Sequence, residues 1–565
     1  MNTVLTLHDP GTARRYYDAG LWRPDTFYSL MSDHAKHRPD GYALRDGGRR
    51  LTWWQIKDWT DAMAAALHDA GVVKGQRVSL WLPNRVEGVV TLLACARNGY
   101  VCNPSLHLNY TGEDISGLLA RIRASALVAE ADYGAATADT LDAIADMPGM
   151  KRVFRLPSGR ETGGDFPAIM SYPENKPDAD PSPDKPCYLA FTSGTTGTPK
   201  GVLHSDNTLL ANARDMVRDW GHGKDTILLS LSPISHHIAW VGVAQMLLAG
   251  GELVLNDPPA GMKPLDWIVE TGATYVMGVP THGMDILADQ EARGMERVGD
   301  VEVFYMAGAP IPPVTAEAFL AQGIKPQNVY GMTENSSHQY THPDDPAETI
   351  CGTCGRGGTG YEVKLFRQDD RDAEVAPGEI GEIGGQGACL MLGYFDNQEA
   401  TEESFNSGGW FLSGDLGRFD ANGNLAITGR MKDIIIRGGH NIHPAKIEDL
   451  AVKHAQVAKA AAFAVADERL GEKVGLAVMP ADADAPGGND LLNHLFAAGL
   501  SKYDMPEYYI VMDDFPLTAS GKILKRELAA WAREGRIQPN PVRFIEHEKR
   551  HGGCRSSTMT TRGEA

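Results

Sequence analysis

The chain has 565 residues, 42% apolar and 22% charged, with a formal net charge of -20. That length exceeds one ordinary core and predicts about two to four domains, with the composition of a globular protein. The acidic balance excludes a nucleic-acid binder, which carries a basic footprint, yet leaves open a nucleotide whose phosphates a local loop can hold. No stretch reaches the roughly 18 apolar residues of a membrane span, and the N-terminus lacks the apolar core of a leader, so a cytoplasmic location is expected. Seven scattered cysteines fit reduced thiols, and the lone CxxC at Cys351 and Cys354 is expected to be chance spacing.

The predicted elements alternate. Thr52 to Gln55 reads as a capping box opening a helix that turns Ile56, Trp59 and Met63 inward and ends at Gly71. A strand at Arg77 to Leu82, a helix from about Val86 to Asn98, a strand at Tyr100 to Asn103, a helix after Thr111 and a strand near Leu127 follow. A Pro/Asp-rich connection from Pro173 to Pro186 leads into the apolar run Cys187 to Ala190 and the stretch FTSGTTGTPKG, Phe191 to Gly201. Strands are expected at Thr226 to Leu231, Glu252 to Leu255, Tyr275 to Val279 and Val301 to Met306, separated by helical segments. That alternation predicts helix-covered, mostly parallel sheets, with ligands at the carboxyl ends of the strands.

From Gly378 the texture changes to short β-like pieces, with Asn422-Gly423 as a hairpin signal. Past Arg430 it turns α+β: Lys432 to Arg437, a helix at Pro444 to His454 and a strand near Ala460 to Val465. The expected organisation is a large domain over 1–430, β-rich over about 350–430, then a small mobile α+β domain over 431–540. A polar tail over 541–565 is expected to be disordered.

The stretch at Phe191 to Gly201 is built to hold phosphate. Its glycines let successive N–H groups approach one anion, Ser193, Thr195, Thr196 and Thr198 add hydroxyls, and Lys200 adds charge. It is not a Walker A loop, because Lys200 follows Pro199 and precedes Gly201 where that motif needs Gly-Lys-Ser/Thr. Six more segments stand in order behind it: Ala307 to Pro310; Tyr330-Gly-Met-Thr-Glu334; Gly378 to Tyr394; Gly409 to Asp415; Gly429 to Gly439; and Pro516 to Lys522.

This ordered set resembles the adenylate-forming superfamily of acyl-CoA synthetases, peptide adenylation domains and luciferase, over roughly residues 25 to 535. The resemblance implies an acid–thiol ligase that makes an acyl-adenylate and pyrophosphate from ATP and a carboxylic acid, then an acyl-CoA and AMP. It implies that Thr192, Ser193, Gly194, Thr195, Thr196, Gly197, Thr198 and Lys200 hold the β- and γ-phosphates, Thr333 the α-phosphate and Glu334 Mg2+. Gly308, Ala309 and Tyr330 would border adenine, Asp415 and Arg430 the ribose, and Gly438 and Gly439 the pantetheine of coenzyme A. Lys522 matches the adenylation lysine and Lys432 the hinge. His236, His237, Trp240, Gly278 and Met306 would form the acyl pocket, with His236 aligned to the family histidine. The chain departs from the family there, with Ser235 in place of an aromatic and a doubled histidine, and again at Lys446.

The pocket segments, apolar and aromatic with glycines that leave volume, imply a hydrophobic acid, and the stretch running on through His204 to Thr208 resembles bacterial ligases for medium-chain, alicyclic or aryl-alkanoic acids. A stand-alone adenylation enzyme loading a carrier protein shares the first-half residues, and a non-catalytic nucleotide-binding scaffold is the third reading. The partners expected are the acid, ATP and coenzyme A, with a homodimer left open. Read singly, Asp415 is a turn residue and Glu334 a surface carboxylate, while the spacing of His338 and His342, four apart, is compatible with one helical face, with no metal assigned.

Overall fold

The computed structural model describes residues 10–159, 164–169, 175–192, 199–309, 311–438, 440–481, 484–517 and 523–544. The chain divides into two units, Met1–Thr428 and Gly429–Ala565.

Two mostly parallel sheets organise the large unit. The eight-stranded sheet runs, edge to edge, Ser336–Tyr340, Lys325–Met332, Val303–Ala307, Tyr275–Gly278, Ile227–Ser230, Glu252–Leu255, Tyr42–Arg45, Arg50–Thr52. Its interior pairs are parallel and an antiparallel strand closes each edge. The seven-stranded sheet runs Gly393–Tyr394, Lys200–Ser205, Pro186–Thr192, Val101–Asn103, Arg77–Trp81, Ala124–Glu130, Arg152–Leu156, antiparallel only at its Gly393 end. A third, antiparallel sheet holds Tyr361–Phe366, Gly381–Gly387, Phe411–Phe419 and Leu425–Arg430, where the β-rich texture was expected.

Local chemistry sets the helix boundaries. The helix Trp53–Asp69 opens on the expected capping box: Thr52 Oγ1 accepts Gln55 N–H, and Gln55 Oε1 accepts Thr52 N–H at 2.9 Å. Gly99 ends the helix Val86–Asn98 at φ +71°, a left-handed conformation that glycine adopts without strain. The largest core runs from Val78 and Leu80 through Val89 and Leu93 to Trp240, Val243, Tyr275 and Met277, so the helices Val86–Asn98 and His237–Ala249 lie buried among strands of both sheets. Two strands of this unit, Tyr275–Gly278 and Val303–Ala307, alternate cleanly: Tyr305 and Ala307 join that core, whereas Phe304 and Met306 face Phe319 and Ile286 in another.

In the small unit, strands His440–Ile442, Ile435–Arg437, Gly471–Pro480, Tyr508–Val511 and Asn540–Pro541 form one sheet, with Val457–Asp467 pairing Gly471–Pro480. The expected tail from 541 starts too early. Pro541 pairs with Tyr508, and Val542 and Phe544 pack against this unit's core, because two apolar side chains so close to a sheet edge find apolar surface to cover. Residues 545–565 lie outside the described residues.

The cysteines at 95, 102, 187, 351, 354 and 389 are free thiols, as expected, and burial pushes the Cys354 thiol up to about 12. Among the described residues no helix is long and apolar enough to cross a membrane.

Candidate active site

The strands Pro186–Thr192 and Lys200–Ser205 are antiparallel with Thr192 opposite Lys200, so both ends of the Gly/Ser/Thr-rich loop are held across one ladder step. Ser193, Gly194, Thr195, Thr196, Gly197 and Thr198 lie outside the described residues. Lys200 Nζ stands 4.6 Å from the centroid of the Tyr394 ring. The Tyr394 hydroxyl donates to Glu334 Oε1 at 2.9 Å. Glu334 is therefore no surface carboxylate; it is 7% exposed. Burial pushes its pKa up, while the Tyr394 hydrogen bond and the nearby Lys200 charge pull it back down. Thr333 is held through its backbone, because its carbonyl accepts His204 Nε2–H at 2.6 Å. His204 is the penultimate residue of the strand Lys200–Ser205, and its Nδ1 meets Thr208 Oγ1 at 3.0 Å on the following helix.

Tyr330, on the strand Lys325–Met332, donates its hydroxyl to Asp415 Oδ2 at 2.9 Å. Asp415 is 5% exposed on Phe411–Phe419. Its own N–H does meet Ser413 Oγ at 3.1 Å, as in a polar turn, but its carboxylate serves a residue 85 positions away. Glu382 sits alongside: Gly414 N–H donates to its Oε1 at 3.1 Å, and burial with Asp415 nearby pushes its pKa up. Gly308, at φ +93°, and Ala309 are exposed directly after the strand Val303–Ala307.

The acid-pocket residues divide. His236 caps the helix His237–Ala249, with its ring centroid 4.8 Å from that of His107, whose Nδ1 meets Ser235 Oγ at 3.0 Å. His237 Nδ1 meets Tyr188 Oη at 3.1 Å and its Nε2 meets Ser336 Oγ at 3.0 Å, while its ring stacks on His204 at 5.6 Å. Burial pushes His237 down to about 3 and His107 down to about 4, so both rings are neutral at physiological pH. Trp240, fully buried, donates to the Ile234 carbonyl at 2.6 Å. Strand alternation turns Met306 to the other face of its sheet from Tyr305, where Phe319 packs, so it lies in a different core from Tyr305 and Trp240. A Cβ on Gly278 would also point at His282, 2.8 Å from its Nδ1. His338 and His342 share no helical face. His338 lies in the strand Ser336–Tyr340, which hydrogen-bonds to Lys325–Met332 as an edge hairpin, and His342 lies beyond its end.

In the small unit, Arg430 is exposed before the turn Met431–Asp433, and Lys432 is exposed within it. Gly438, at φ +59°, donates to the Leu470 carbonyl at 2.7 Å. Gly439 and Lys522 lie outside the described residues.

Sequence reasoning missed Tyr394, His204, Glu382 and His107. The only signal for Tyr394 was its place in the segment ending Gly393-Tyr394; the others act through partners far away in the chain. Among the described residues no three His, Cys, Asp or Glu side chains gather to hold a metal on their own. A single buried carboxylate, Glu334, suits Mg2+ shared with phosphate oxygens and water.

The chain belongs to the AMP-binding enzyme family, which matches residues 31–395, and the AMP-binding enzyme C-terminal domain matches 446–522. With relatives named as acid–CoA ligases, it is an AMP-forming acid–thiol ligase. It is 29% identical to the medium-chain fatty-acid–CoA ligase of Escherichia coli (strain K12) over 540 residues, 93% of each chain. It is 32% identical to the feruloyl-CoA synthase of an Amycolatopsis species over 499 residues, 87% of this chain and 96% of that one. Among solved structures it is similar to ATP-bound MatB from Rhodopseudomonas palustris, with a TM-score of 0.78, 25% identity, and coverage of 90% of this chain and 99% of that one.

Proposed function

We propose that the chain activates a hydrophobic carboxylic acid with Mg-ATP and transfers the acyl group to coenzyme A. The observation that carries this reading is the buried Glu334, held by Tyr394 next to Lys200, at the foot of a loop whose ends Thr192 and Lys200 are paired. Such a site holds a polyphosphate and the cation that travels with it. Bound there, Mg2+ supplies charge neutralisation, with Glu334 as its protein ligand.

In the first half-reaction a carboxylate oxygen of the acid attacks the α-phosphorus, the α–β anhydride bond breaks, and pyrophosphate leaves. Lys200 and the loop hold the departing pyrophosphate, Thr333 donates to the α-phosphate, and Asp415 accepts from the ribose hydroxyls. Tyr330 keeps Asp415 oriented for that task. Gly308 and Ala309 present exposed backbone to the adenine face. Lys522 neutralises charge growing on the α-phosphate and carboxyl oxygens. In the second half-reaction the coenzyme A sulfur attacks the acyl carbon and AMP leaves, with Gly438 and Gly439 lining the pantetheine path and Lys432 as the hinge. We assign adenylation to residues 1–430 and the lysine and hinge to 431–540.

Aromatic walls support a hydrophobic acid: His107, His236 and His237 stand with Tyr188 and Trp240, and burial keeps the His107 and His237 rings neutral. The relatives' names include both a fatty acid and an aryl-acrylic acid, in keeping with a medium-chain, alicyclic or aryl-alkanoic substrate. The test is a pyrophosphate-release screen over octanoate, cyclohexanecarboxylate, 3-phenylpropanoate and ferulate, with and without coenzyme A. The reading expects acid-dependent release, and a thioester when coenzyme A is present. Release without any thioester would indicate a carrier-protein acceptor, and no release with any acid would overturn adenylation.

A further inference from the structure

The small unit holds a three-charge cluster that the roles above do not use. Lys525 Nζ lies 2.8 Å from Glu448 Oε2 and 3.8 Å from Asp433 Oδ2, and the three side chains are 21%, 16% and 25% exposed respectively. Glu448 is fixed by its other oxygen, which accepts the Ala462 N–H at 2.7 Å. The cluster is thus tied both to the helix Pro444–Ala451 and to the strand Val457–Asp467.

Its two remaining members stand at telling places. Asp433 ends the turn Met431–Asp433, one residue after Lys432. Lys525 opens the helix Lys525–Arg533, two residues after Ile523, which bridges to Leu517, and one after Leu524, whose N–H donates to the Pro516 carbonyl at 2.7 Å. Lys525 therefore anchors the return end of the segment that carries Lys522, three residues earlier in the chain.

One ammonium between two half-buried carboxylates is worth more than an exposed pair, and removing it leaves two like charges together. Burial pushes Glu448 above its ordinary range and Lys525 pulls it back. While the cluster holds, Asp433 belongs to the small unit as a body. The φ/ψ rotation of a hinge then falls at or before Lys432.

We propose that Lys525 is a positioning residue: with Asp433 and Glu448 it clamps the hinge turn to the base of the segment carrying Lys522, setting that lysine for adenylation. This rests on the roles of Lys522 and Lys432 proposed above. The test uses the full-length enzyme and the best acid of the four screened. Lys525→Met should lower the rate of pyrophosphate release at least tenfold, with KM for ATP within about threefold. It should leave thioester formation from supplied acyl-adenylate and coenzyme A within about threefold. Lys525→Arg, which keeps the charge, should restore adenylation to within about threefold. Asp433→Asn should lower adenylation by itself and add less than about twofold in the Lys525→Met background. Equal loss of both half-reactions, no loss in either, or multiplying losses in the double variant would each overturn the clamp. A wild-type enzyme that releases no pyrophosphate with any of the acids would instead overturn the adenylation reading, and the clamp with it.

Discussion

At the scale of the residue, burial separates Glu334 and Asp415 from ordinary carboxylates, and each is met by a phenol: Tyr394, 60 positions away, and Tyr330, 85 positions away. Read singly in the sequence, both carry a bland reading, because neither burial nor a distant partner leaves a local mark. The Tyr394 hydroxyl stabilises the ionised form of Glu334, so Tyr394→Phe should raise the Glu334 pKa. The acid limb of the pyrophosphate-release profile should then move to higher pH, with activity recovering at alkaline pH; an unmoved limb would contradict the role given to Tyr394. His338 offers a stability test. It is 2% exposed, neither ring nitrogen has a hydrogen-bond partner, and its ring packs 4.2 Å from that of Tyr361. Burial pushes its pKa down to about 3, so the unfolded chain takes up this proton near pH 6.5 while the folded chain does not until about pH 3. Stability should therefore fall on acidification through that window, by about 1.4 kcal/mol per pH unit from this site. His338→Phe, an apolar ring of similar shape, should leave stability at pH 7.5 unchanged or higher and reduce the drop in urea midpoint between pH 7.5 and 5. An equal drop in the variant would contradict the assignment.

At the scale of the element, boundaries were legible wherever a single local rule decides them. Thr52 with Gln55 and Thr111 with Asp114 cap helices through bonds spanning three residues, so the sequence carries them in full. Side-chain direction was legible only with the strand register in hand. Met306 and Tyr305 are neighbours in the chain, yet they face different cores, and apolar composition alone does not tell which core each joins. The helix Trp53–Asp69 shows the same limit. Its Asp61 is buried and accepts from Tyr28, Lys57, Arg97 and Lys176 at 2.8 to 3.0 Å. Burial pushes this carboxyl up, but the bonds from Lys176, Lys57 and Tyr28 outweigh it and hold the pKa at about 2. The folded value lies below the ordinary 3.8, so the stabilisation is present above about pH 4 and is lost as pH falls through 2. Asp61→Asn should cost about 3–5 kcal/mol in urea unfolding at pH 7, since it leaves buried cations without their anion; a cost under about 1 kcal/mol would remove the network from the account of stability.

At the scale of the whole molecule, the chain is two units joined within the strand Leu425–Arg430, with the candidate nucleotide residues Lys200, Tyr330, Glu334 and Asp415 in the first and Lys432 in the second. The proposed roles put the adenylation lysine, Lys522, far along the chain from the proposed phosphate loop at Thr192 to Lys200, so the two half-reactions should be separable by mutation. Lys522→Ala should abolish acid-dependent pyrophosphate release and spare thioester formation from supplied acyl-adenylate. Lys432→Pro, which stiffens the hinge turn, should do the reverse. Stopped assays of each half-reaction decide the matter: two variants losing the same half would overturn the division of labour.

By itself the sequence determined the alternation of strands and helices, the capped helix starts and the order of glycine-rich turns, because each depends on residues a few positions apart. The family followed from the same turns taken jointly over most of the chain. The tertiary structure alone decided that Glu334 and Asp415 are buried beneath phenols, that Met306 and Tyr305 face different cores, that His338 lies in a strand, and that Lys525 reaches Asp433. Each of these depends on strand register or on packing between segments 60 or more residues apart, and no local pattern encodes such a distance.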